Sequence, residues 1–91
     1  MFKTTIDGKF LGNRQYTVTQ VVNESREVIY QVDYRVTRNG NLYGPTNRLK
    51  SDGITITFES GLICRGFGSL DSAHRAIEQH ARKPYIWKQA A

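Results

Sequence analysis

Cysteine, proline and long apolar runs are all scarce in this chain, and each scarcity removes a class of protein. One of the 91 residues is a cysteine, Cys64. A single thiol closes no intrachain disulfide, which excludes a disulfide-stapled secreted scaffold. It also argues against structural zinc, whose ligands come as closely spaced pairs of Cys or His. His74 and His80 stand six residues apart, about 240° round a helix and so on different faces. No segment approaches the roughly 18 consecutive apolar residues of a membrane-crossing helix. The opening Met1-Phe2-Lys3-Thr4-Thr5-Ile6-Asp7 lacks the apolar run of a secretory signal. The expected location is therefore the cytoplasm, without a membrane partner, and Cys64 reads as a small buried hydrophobe. The length falls below the usual domain size of roughly 100–150 residues, so one small domain over 1–91 is expected.

Basic charge and aromatics are what the chain does have. Thirteen Lys and Arg stand against eight Asp and Glu, giving +5 and a pI near 9.7. An apolar fraction of 38% with 11% aromatics is too rich for a disordered chain and points to a packed core. The excess is uneven. The first fifty residues carry eight cations and four acids, and the remainder five and four.

Period-two patterning dominates up to about Phe67. Val28, Tyr30, Val32, Tyr34 and Val36 alternate with Ile29, Gln31, Asp33, Arg35 and Thr37, which predicts a strand with one face to a core and the other mostly to water. Gln15 to Asn23 reads as a strand before it, joined by the polar Asn23–Glu27 connection. Arg38-Asn39-Gly40-Asn41 places Asn-Gly at the centre of a type I′ hairpin turn, with a return strand starting at Leu42-Tyr43 and interrupted by Gly44-Pro45. After Asp52-Gly53, Ile54, Ile56 and Phe58 alternate again. Ser60-Gly61 either turns the chain into Leu62–Arg65 or lies inside one longer bulged strand. Ser69 then caps a helix over about 69–83, with Asp71 in its first turn and Leu70, Ala73, Ile77 and Ala81 on one side. Pro84 ends it. The expected fold is α+β: an antiparallel meander of three to five strands followed by one C-terminal helix packed on one sheet face. That helix leaves the second face uncovered. An apolar tail, 84–91, follows, expected either to fold back and cap the core or to stand exposed as a patch for a partner.

No catalytic constellation is legible, and the expectation is a non-enzymatic protein with no cofactor and no metal. Glu24 with Glu27, and Asp52 with Glu59, fall in turns or on solvent faces, where a perturbed carboxylate is not expected. Cys64 with a histidine lacks an orienting group or an oxyanion hole. Gly66-Phe67-Gly68 lacks the GxxxxGK[ST] pattern of a phosphate loop. The informative feature is the run from Tyr34 to Ser51, which holds Arg35, Arg38, Arg48 and Lys50 and no acid. A basic hairpin of this kind meets phosphates, and a two-stranded ribbon fits a DNA major groove. Arg35, Arg38, Asn39, Asn41, Tyr43, Arg48 and Lys50 are the expected nucleic-acid contacts, with DNA or RNA as partner.

The segment Gly66-Phe67-Gly68-Ser69-Leu70-Asp71-Ser72-Ala73 resembles the strand-to-helix junction of small sheet-plus-helix modules. One is the arm-binding N-terminal domain of phage-type integrases, whose sheet enters the DNA major groove. The likeness is one of topology and implies no family membership. Small phage and mobile-element chains of this shape also serve as protein inhibitors. That gives the alternative expectation: an inhibitor, adaptor or homo-oligomeric subunit that binds a protein through Tyr85, Ile86 and Trp87.

Overall fold

The computed structural model describes residues 2–51 and 53–83. Four strands form an antiparallel meander in chain order: β1 (Phe2–Leu11), β2 (Arg14–Val22), β3 (Val28–Arg38) and β4 (Asn41–Arg48). A separate two-stranded hairpin follows, β5 (Ile54–Thr57) and β6 (Ile63–Gly66), and then helix α1 (Leu70–Ala81). The architecture is the expected α+β meander with its C-terminal helix. The expected tail residues Tyr85, Ile86 and Trp87 lie outside the described residues.

The local chemistry explains each boundary. Asn39 and Gly40 both take positive φ, 54° and 79°, as a type I′ turn requires. Gly44 and Pro45 do not end β4. They form a bulge with Thr46, because Tyr34 pairs with Asn47 and Val36 with Tyr43, leaving Arg35 alone opposite three residues. Gly44 supplies φ 79°, and Pro45 sits where no ladder donor is needed. Ser60-Gly61 makes a turn into β6, so the segment after Asp52 is a hairpin and not a single bulged strand. Ser69 caps α1, its hydroxyl accepting from the Ser72 amide at 3.1 Å.

Pairing register divides the meander into two faces. Tyr16 pairs with Tyr34 and Val18 with Val32, and these rows face the helix. Tyr16, Val18, Val32, Phe67, Ala73 and Ile77 form one buried cluster there. The opposite face, called here the far face, carries Val21 beside Ile29. It was expected to be uncovered. Instead the β5–β6 hairpin folds onto one end of it, and Val21, Ile29, Ile56, Phe58 and Cys64 make a second buried cluster. The reason is visible in β3, whose two faces are both apolar at its start, Ile29 on one side and Tyr30 on the other. A strand apolar on both faces must be covered on both.

Phe67 fixes that fold-over. Its backbone exchanges two hydrogen bonds with Tyr30, at 2.7 and 2.9 Å, extending the edge of β3 past the point where β4 leaves it. The buried Gln31 amide donates to the Arg65 carbonyl at 3.0 Å. Buried Asn23 donates to the Thr57 carbonyl at 2.9 Å and to Glu27 Oε1 at 2.8 Å. The Glu24 carboxylate accepts from the Glu59 amide, and that bond holds its pKa below the ordinary value. The β2–β3 loop is thereby tied to the β5–β6 hairpin.

Candidate functional site

The far face is covered at the Val21–Ile29 end and open beyond it. Register sets its open rows: Thr5–Thr19–Gln31, then Gly8–Thr17–Asp33–Arg48, then Phe10–Gln15–Arg35. The middle of this surface is short and polar. At the border between the open part and the hairpin lies a recess of about 350 Å³. Lys3 of β1, Arg48 at the end of β4, Lys50 and Arg65 of β6 all line it, with Gln31 and Ser51. Leu49, Leu62, Ile63 and Cys64 supply its apolar wall. Among the described residues, no carboxylate lines it.

Four cations meet here because three separate parts of the chain converge. Lys3 enters from the edge strand. Arg48 and Lys50 come from the exit of β4, which the Leu49 amide ties to the Val32 carbonyl at 2.8 Å. Arg65 comes from β6, held in place by Gln31. Among the described residues, Arg48 is the one groove cation with a carboxylate partner, Asp33, at 3.1 Å. Asp33 is also the single acid in the open rows of the far face. Among the described residues, no ion pair or hydrogen bond engages the ammonium of Lys3 or Lys50, or the guanidinium of Arg65.

The sequence-predicted residues divide between this groove and the β3–β4 wing. Arg48 and Lys50 line the groove. Arg35 lies on the far face, where its Nε and terminal nitrogen both donate to the Gly44 carbonyl, at 3.1 and 2.9 Å. It closes the β4 bulge. The Arg38 guanidinium lies over the Tyr43 ring at 5.6 Å. Asn39 and Asn41 form the exposed hairpin tip. The wing is thus self-engaged near its tip, and the groove cations Lys3, Lys50 and Arg65, which have no partner among the described residues, lie at its base. Lys3 and Arg65 were not legible as site residues, because they are distant in sequence from the acid-free run. Sheet pairing brings Lys3 to it, and the fold-over of the hairpin brings Arg65.

The opposite face holds a second polar cluster, which is structural. Buried Arg14 donates from one terminal nitrogen to the carbonyls of His80 and Lys83, at 3.1 and 2.9 Å. A cation there satisfies orphan carbonyls and complements the negative end of the helix. His80 Nδ1 and the Tyr16 hydroxyl share a 2.7 Å hydrogen bond, and the Tyr34 ring packs on His80 with centroids 4.5 Å apart. Burial pushes the His80 pKa below its ordinary value near 6.5, and the Arg14 and Lys83 charges push it the same way. Burial raises the Tyr16 pKa above 10.0, against the lowering effect of Arg14. A neutral histidine is the result. His74 lies elsewhere, with Lys9 Nζ 3.2 Å from its Nδ1 and an Asp7 oxygen 3.7 Å from its Nε2. Among the described residues, no three His, Cys, Asp or Glu side chains group as metal ligands, and no helix is long and apolar enough to cross a membrane. Cys64 is a free, buried thiol.

No family model, curated protein or solved structure matches this chain.

Proposed function

We propose that this protein is a small nucleic-acid-binding module without catalytic activity, and that it binds through the far face of its meander. The observation that carries the reading is the groove: Lys3, Arg48, Lys50 and Arg65 line one recess, and no carboxylate is among its described lining residues. Bringing like charges together raises the energy of the folded chain. A polyanion lowers it, and each phosphate that meets a cation also releases counterions. The neighbouring polar positions Thr5, Thr17, Thr19 and Gln15 offer hydrogen-bond donors and acceptors to sugars and bases. The test is a titration of the protein into fluorescently labelled single- and double-stranded oligonucleotides between low and moderate salt. Binding that weakens steeply with salt is expected. Absence of salt-sensitive binding to every strand type overturns the reading.

A second reading rests on β1. It is an edge strand of ten residues, with Phe2, Ile6 and Phe10 exposed. An open edge of that length can add a partner's strand. Its irregularity at Ile6, between Thr5 and Asp7, and the charges of Lys3 and Lys9 are features that protect edges from such pairing. Light scattering on the purified chain separates the two cases for self-association: a monomer at high concentration removes it, and a dimer supports it.

A further inference from the structure

We infer that the ligand of this face is a single strand, running from the groove across the open sheet to Phe10, with bases packed on protein and phosphates along the cations. The inference rests on the nucleic-acid reading above and adds the strand type and the path. Three observations carry it.

The groove is amphipathic. Leu62 and Ile63, both exposed, stand beside Lys50 and Arg65. A duplex presents phosphates and buries the faces of its bases, so it leaves such a wall unused. A single strand exposes both, and pairs a charged track with apolar contact for its bases. Phe10 is the second observation. It is an aromatic side chain 67% exposed, in the row Phe10–Gln15–Arg35, which contains no other apolar residue. Most of the ring faces solvent, and an exposed ring on a polar sheet is a platform for an unstacked base. From Gln31 at the groove to Arg35, in the same row as Phe10 but two strands away, is four residues of β3, about 13 Å at the rise of a strand. The third observation is the wing. The cations that would face a duplex at its tip are folded back, Arg35 onto the Gly44 carbonyl and Arg38 onto Tyr43.

The experiment is fluorescence anisotropy with the full chain at low salt. The probes are a labelled deoxythymidine oligomer, a uridine oligomer of equal length, a duplex of equal length, and inorganic polyphosphate as a competitor. The expected result is single-strand binding at least about fivefold tighter than duplex binding, the lower end of what one stacked base contributes. Phe10→Ala should weaken the single strand by a similar factor and leave duplex binding unchanged. Because Phe10 is exposed, this variant should fold normally. The two oligomers tell DNA from RNA, and a preference for either supports the proposal. Equal or tighter duplex binding overturns the single strand while the basic-groove reading survives. So does polyphosphate competing as well, charge for charge, as the oligomer. An unchanged Phe10→Ala variant overturns the path across the sheet. No binding to any probe overturns both readings together.

Discussion

His80 is one residue through which acid acts on the fold. Its imidazole is half-buried between Tyr16, Tyr34 and Arg14, and its pKa lies below 6.5 in the folded chain. The unfolded chain therefore takes up the proton more readily. The stability contributed by neutral His80 is complete above about pH 6.5 and is lost as the pH falls through that value toward the folded pKa. Urea unfolding at pH 7.5 and at 5.5 should show a lower midpoint at 5.5, and His80→Gln should remove most of that difference. Gly66 tests a steric demand. A Cβ added there would lie 2.6 Å from the Tyr30 carbonyl oxygen, a backbone atom that cannot swing aside. Gly66→Ala should cost about 1–3 kcal/mol by overpacking, measured as a drop in the urea midpoint at constant slope.

Among the elements, the β5–β6 hairpin matters most, because it covers the far face and also builds one wall of the groove. Phe58 sits in its buried cluster with Val21 and Ile29. Phe58→Ala should destabilise the protein by about 3–5 kcal/mol. In any fraction that still folds, the amides of β2 and β3 around Val21 and Ile29 should lose hydrogen-exchange protection before those around Val18 and Val32, beneath α1. The helix offers a smaller test: Ser69→Ala removes the N-cap and should cost about 1 kcal/mol by thermal or urea unfolding. Elements with unbroken local signals were legible in the sequence. The ten-residue alternation of β3, the Asn39-Gly40 turn and the capped helix each depend on neighbours in the chain. β1 was not legible. Its apolar residues, Phe2, Ile6, Phe10 and Leu11, do not alternate, because the irregularity at Ile6 shifts the register and the strand is an exposed edge with little core to impose a pattern. The cover over the far face had one visible trace, Ile29 on the side of β3 expected to meet water. What covers it depends on long-range packing.

For the whole molecule, the +5 charge matters through its placement. The acid-free run from Tyr34 to Ser51 predicted a basic wing. The folded chain engages Arg35 and Arg38 within that wing, and collects Arg48 and Lys50 with Lys3 and Arg65 in one groove. Half of that groove was legible, since two of its cations lie in the run and the other two arrive only through the sheet pairing and the hairpin fold-over. In the proposed binding mode these four side chains meet phosphates. The most direct measurement is the dependence of single-strand affinity on salt, for the wild-type chain and for Lys50→Glu with Arg65→Glu. Four phosphate contacts predict a slope of about −3 in log affinity against log salt. The double variant should bind far more weakly, with a slope no steeper than about −1.4, the value for two remaining contacts. A double variant that keeps the wild-type affinity and slope would contradict the account.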